Sequence, residues 1–189
     1  MISEVPRTST RDRILEAAED VVLTDGVAAL TLDKAAARAG VSKGGVLYHF
    51  PNRSALVSAM VRRLSEQFDA GLDAYRVDDS PGSFARAYIR ECFAAPEGEQ
   101  QERAEQLGAA LLAAMASEPH LLDPLREAFA GWQQRLVADA PDPVRATITR
   151  LAADGLWLCE LFGLAELTPD LRDQVRVELE RMTREGGAR

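Results

Sequence analysis

Apolar side chains recur along this chain at the three-and-four spacing of a helix, and no stretch alternates apolar with polar residues as a half-buried strand would. Ile14, Ala18, Val21 and Val22 make the first stripe, which Gly26 ends. Thr31 then stands as an N-cap before "LDKAAARA", and Gly40 closes that helix. Ser42 caps "KGGVLYHF", Pro51 stops it, and Asn52 caps the long "RSALVSAMVRRLSEQFDAGLDAYR". Four further starts place proline just behind a capping residue, at Ser80-Pro81, Asp123-Pro124, Asp142-Pro143 and Thr168-Pro169. The pattern predicts an all-α chain of about nine helices. "PEGEQQE" and "ADAPDP" are the flexible connections, and there is no internal repeat.

Within this series, Ala36 is small where two helices must cross, Gly40 can adopt the left-handed turn, and Val46 returns an apolar side chain to the crossing. That is helix-turn-helix spacing. The second helix, seven or eight residues and roughly 11 Å long, suits a major groove about 12 Å wide. Gly44 and Gly45 cost it on the order of 1 kcal/mol each, which close approach of its backbone to DNA would offset. Lys43, in the first turn, opposes the helix dipole and so is poorly placed for a structural role. Its best base partner is guanine O6 or N7. Gly45 offers no side chain to read a base, so base preference leans on Lys43.

Charge first argues against nucleic acid, since the 189 residues carry a net charge of -8. The distribution reverses that. Residues 1–55 hold seven basic and seven acidic side chains, so the whole deficit lies beyond them. No acid occurs between Asp33 and Glu66, whereas Lys34, Arg38, Lys43, Arg53, Arg62 and Arg63 all fall there. A basic face on a small module is the footprint of phosphate binding.

Residues 10–56 resemble the DNA-binding domain of the TetR family of transcriptional regulators. The resemblance lies in "TRDRILEAAEDVVLTDG", "GVAALTLDKAAARAGVSKGGVLYHF" and the trailing "PNRSAL", similar to the family's F-P-S-K-x-x-L. It implies that Ser42, Lys43, Gly44 and Gly45 face base edges, that Tyr48 and His49 contact phosphates, and that Thr31 and Arg53 clamp the backbone. Two positions depart from the family: Leu47 stands where many members have tyrosine, and Arg53 replaces the usual lysine.

The resemblance further implies a DNA-binding domain over 1–53 and a ligand-binding and dimerisation domain, a helical bundle, over 54–189. In the latter, the last two long helices pair with a second copy and a pocket holds an inducer. The segment "ITRLAADGLWLCELFGL" is apolar nearly all round, so it must be covered from more than one side, by a partner or by the chain's own core. Leu151, Gly155, Leu158 and Phe162, with Leu171, Val175 and Leu179 of the last helix, are the candidate dimer surface. For the pocket, Phe84, Tyr88 and Cys92 share one stripe, Leu111 and Met115 another, and Phe129 and Trp132 a third. Tyr88, Trp132 and Gln106 could supply its polar groups.

Catalysis is not indicated. His120 is isolated, and there is no GxSxG, HExxH or glycine-rich phosphate loop. Cys92 and Cys159 form no CxxC or Cys/His cluster, so neither a metal, a cofactor nor a disulfide is expected. Without an apolar run of about 18 residues or a signal core, the expectation is a cytoplasmic protein with no membrane partner. The reading is a homodimeric regulator, a repressor released from a palindromic DNA operator by a small-molecule effector. The alternative is an all-helical ligand-binding or protein-interaction module without DNA binding, which the acidic pI of 4.9 favours.

Overall fold

The computed structural model describes residues 9–94, 98–115, 118–164 and 167–184. Among these there are nine α-helices, two short 3-10 turns and no strand. The helices are α1 (Thr10–Asp25), α2 (Leu32–Ala39), α3 (Lys43–His49), α4 (Arg53–Tyr75), α5 (Ser83–Phe93), α6 (Glu99–Met115), α7 (Asp123–Asp139), α8 (Pro143–Leu161) and α9 (Pro169–Met182). None is long and apolar enough to cross a membrane. Two compact units emerge, one of Met1–Arg63 with Arg103–Pro124, the other of Leu64–Glu102 with Leu125–Arg189. α4 contributes its first eleven residues to one unit and the rest to the other.

The local signals act where they stand. The hydroxyls of Thr31 and Ser42 accept from the backbone N–H of Lys34 and Gly45, both at 3.1 Å, and Asn52 Oδ1 accepts from Ala55 N–H at 2.8 Å. Asp142 and Thr168 cap α8 and α9 likewise. Gly40 ends α2 with φ of 65°, the left-handed conformation that turns the chain toward α3.

Two boundaries differ from expectation. α5 begins at Ser83 rather than behind Ser80, because its cap comes from far away: Asp139 accepts the Phe84 N–H at 2.8 Å. Ser80 instead turns back on Asp78, its N–H donating to Oδ1 at 3.0 Å. The "PEGEQQE" stretch, whose residues 96 and 97 lie outside the described residues, is helical from Glu99. Glu99 and Glu102 suit the positive end of α6 there.

In the first unit, Ile14, Leu15, Ala18, Val21 and Val22 of α1 bury against Ala35, Ala36 and Ala39 of α2, with Leu30, Val46, Phe50 and Leu56 completing the core. Alanines on α2 let α1 and α3 approach closely, and Arg13 Nη2 donates to Ala39 O at 2.8 Å, taking up a carbonyl at the end of α2. The second unit is built on α5, which packs on α8 and α9. Its core joins Leu72, Phe84, Tyr88, Ile89, Cys92, Phe93, Trp132, Leu136, Ala153 and Leu179. Burial and the nearby Asp154 push the Cys92 thiol pKa well up, while Cys159 on α8 is half-buried.

Candidate nucleic-acid interface

α3 presents one face to the core and the other to solvent. Val46 is fully buried, and Phe50, its C-cap, is nearly so. Ser42, Lys43, Gly44, Leu47 and Tyr48 are exposed, His49 and Gly45 partly so. Tyr48 is 83% exposed and meets the His49 ring in a T-shaped contact, centroids 5.0 Å apart. Thr31, at the start of α2 in the same unit, is exposed as well. Leu47, which stands where many members of the family have tyrosine, lies one turn beyond Lys43 and is exposed. An exposed apolar side chain at that place suits a thymine methyl group.

The electrostatics differ from what the acid-free stretch promised. Its cations find acids from neighbouring elements: Lys34 pairs with Asp25 at 2.9 Å, Arg38 with Asp20 at 3.4 Å and Lys43 with Asp33 at 3.0 Å. Arg63 reaches Asp12 at 3.0 Å and Glu19 at 3.3 Å. A gap in the sequence of acids is not a gap in space. The Ser9 hydroxyl and then Arg63 hold the Asp12 carboxyl below its ordinary value, whereas burial raises that of Glu19 despite Arg63. The Lys43–Asp33 pair is well exposed on both sides, so solvent screens it and its worth is about 1 kcal/mol or less. Lys43 can therefore exchange Asp33 for a base or a phosphate at small cost.

Arg53 is placed otherwise. Its Nη1 donates to both carboxylate oxygens of Glu118 at 2.9 and 3.1 Å, and its Nη2 to Val27 O at 3.1 Å. No sequence signal could have paired residues 65 positions apart.

The residues singled out for a ligand fall in different units. Phe84, Tyr88, Cys92, Phe129 and Trp132 belong to the second, Gln106, Leu111 and Met115 to the first. Phe68, Tyr88, Phe129 and Trp132 form a contiguous aromatic cluster with centroids 4.7–6.1 Å apart. Its polar handles are already engaged: Tyr88 OH donates to Asp154 Oδ1 at 2.6 Å and Trp132 Nε1–H to Asp69 Oδ1 at 3.1 Å. Leu111 and Met115 are buried, but Gln106 lies on the exposed side of α6, a hundred degrees from Leu107. Among the described residues, a groove of about 780 Å³ lies elsewhere, lined by Val77, Pro81, Arg86, Arg90, Asp139 and Arg184 among others.

The residues singled out for pairing also separate. On α8, Val144, Ile148, Leu151, Gly155 and Leu158 run into Phe162 as one exposed row, with Val144 68% and Leu151 56% exposed. On α9, Leu171 is exposed, but Val175 and Leu179 turn into the chain's own core, because the helix seats that stripe against α5.

Comparison with known proteins fits this arrangement. Residues 14–60 match the family described as bacterial regulatory proteins, tetR family, and residues 82–184 match the tetracyclin repressor-like C-terminal domain. The HTH-type transcriptional regulator RutR of Escherichia coli K12 is 36% identical over 83 residues, which are 44% of this chain and 39% of RutR. TtgR of Pseudomonas putida is 43% identical over 60 residues, 32% of this chain and 29% of TtgR. The chain thus spans about two fifths or less of the length of these curated relatives. Among solved structures, multidrug binding protein EbrR complexed with ethidium is 26% identical with a TM-score of 0.71, covering 93% of this chain and 99% of that one. A TetR-family member from Streptomyces coelicolor A3 is 27% identical with a TM-score of 0.71, covering 93% and 98%. With both halves matched and the helix-turn-helix in place, the chain belongs to the tetR family of bacterial regulatory proteins.

Proposed function

We propose that this protein is a transcriptional regulator that binds double-stranded DNA as a homodimer, acts as a repressor in the cytoplasm, and is released from a palindromic operator by a small molecule. The observation that carries the reading is α3: a short helix, buried on one side, that shows Ser42, Lys43, Gly44 and Tyr48 to solvent on the other. Lys43 reads a base, Tyr48 and His49 approach phosphates, and the domain over 1–53 does the reading. The C-terminal residues 54–189 serve pairing and effector binding. The outer row of α8 is the dimer surface, because an apolar stripe of six positions over about five turns is more than scattered exposure.

For the effector, the aromatic cluster around Trp132 favours a mainly apolar molecule with one or two polar groups. The similarity to EbrR, which was crystallised with ethidium and with malachite green, supports an effector of that size. Such a molecule must separate the rings or open a neighbouring space. It would act through its different affinity for two states of the protein.

The test is selection of bound genomic DNA followed by titration against salt. Operator affinity is expected to fall steeply with salt. Lys43→Ala is expected to cost about 1–3 kcal/mol and to relax preference at one position in each half-site. If no duplex is bound at any salt concentration, the alternative of a helical module without DNA binding holds instead.

A further inference from the structure

Arg53 opens α4, where a cation faces the positive end of the helix dipole. No acid of α4 itself stands in that first turn. The compensation comes from Glu118, just after α6 in the same compact unit, whose two carboxylate oxygens both accept from Arg53 Nη1. A carboxylate meeting a guanidinium at the start of a helix offers the charge and the oxygens that a backbone phosphate would offer. Both Nη groups that would grip a phosphate are engaged, Nη1 by Glu118 and Nη2 by Val27 O, so a phosphate drawn to Arg53 meets the Glu118 carboxylate there as a rival of like charge. The Arg53 and Glu118 side chains are 29% and 38% exposed, so the pair can be broken without uncovering a deeply buried charge.

We propose that Glu118 is an internal competitor of DNA, holding Arg53 in the free protein and yielding it to an operator phosphate, so that Glu118 sets the affinity of the regulator. This rests on the reading of Arg53 as a phosphate contact. Competition has a thermodynamic signature. When Arg53 turns to a phosphate it releases a counterion from DNA, but the bared Glu118 recruits a cation in turn. Wild-type binding therefore gains little salt dependence from Arg53. Removing the Glu118 charge restores it.

The experiment measures binding of wild type, Glu118→Gln, Arg53→Gln and the double variant to the selected operator duplex by anisotropy at several salt concentrations. Circular dichroism confirms that each is folded. Glu118→Gln is expected to tighten binding roughly tenfold across the two subunits. It should also steepen the slope of log affinity against log salt by about two per dimer. Arg53→Gln is expected to weaken binding, and in that background the change at Glu118 should add nothing. Should Glu118→Gln fail to fold, Glu118→Asp, whose carboxylate reaches the guanidinium less well, is read the same way. Unchanged or weaker binding by a folded Glu118 variant, with Arg53→Gln still weakening it, overturns the competition alone. Unchanged binding by Arg53→Gln overturns the phosphate contact on which it rests.

Discussion

A methyl group built on Gly44 would meet nothing nearer than Ser42 Oγ at 3.9 Å, and one on Gly45 would lie 3.5 Å from that oxygen and 3.8 Å from Val41 Cβ. These are ordinary contacts, and neither glycine has a positive φ. Gly82 is the contrast: with φ of 79°, its added Cβ would stand 2.5 Å from Thr183 O. Folding needs Gly82 but has no use for Gly44 and Gly45. Gly44→Ala and Gly45→Ala are thus expected to stabilise the free protein by up to about 1 kcal/mol each while weakening operator binding. Thermal melting and anisotropy check the two halves, and a variant that binds as tightly as wild type would remove DNA as the reason for the pair. At this scale the sequence was readable where partners are close. Thr31, Ser42, Asp142 and Thr168 cap N–H groups two or three residues on, so the signal and its object lie in one short window. Glu118 and Arg53, or Asp139 and the start of α5, meet only after folding.

α8 and α9 show what periodicity can and cannot say. A repeat near 3.6 marks an apolar face, but a face that meets the chain's own core and one that meets a second subunit have the same spacing. On α8 both occur: Ala146, Thr149 and Ala153 are buried, and Val144, Ile148, Leu151 and Leu158 are not. On α9 the sequence stripe of Leu171, Val175 and Leu179 is split, its last two members going inward. Leu151→Glu is accordingly expected to leave the helical content and melting of the subunit intact but to yield monomers at micromolar concentration in sedimentation. Leu179→Glu, a charge placed in the core, should instead unfold the chain, at a cost of several kcal/mol. If Leu151→Glu remained dimeric, the outer row of α8 would not be the pairing surface.

At the level of the molecule, the second unit is closed by a charge cluster that no motif announces. Glu180 of α9, nearly buried, accepts from Arg90 Nε and Nη2 of α5, both at 3.2 Å, and from Arg176 Nη1 at 2.9 Å, with Arg184 3.5 Å away. Burial alone would raise its pKa, but Arg90 and then Arg176 outweigh burial and hold it below the ordinary 4.5. A carboxyl with a lower pKa in the folded state stabilises the fold above its unfolded value, and the contribution disappears as pH falls through the folded one. Glu180→Gln is expected to cost about 1–3 kcal/mol at pH 7. Urea titrations between pH 3 and 7 should show a shallower acid decline for the variant, and parallel curves would mean that Glu180 titrates alike in both states. The all-helical class and the three-helix start were open to sequence reasoning, since each helix carries its own stripe and cap. The grouping of Arg103–Pro124 with the first unit was not, because α6 has the same periodicity whichever unit it joins.

The two cysteines, finally, divide the chain's thiol chemistry between them. Cys92 is sealed among Tyr88, Ile89 and Trp132 with its ionisation suppressed, so an electrophile meets almost no thiolate there while the fold lasts. Cys159 is partly open and flanks the outer row of α8, four residues after Gly155 and three before Phe162. Of the two thiols, the native protein thus leaves one addressable. Its rate of alkylation is expected to gauge how far the neighbouring apolar row is covered: if α8 is the pairing surface, labelling should slow as protein concentration rises and quicken in Leu151→Glu.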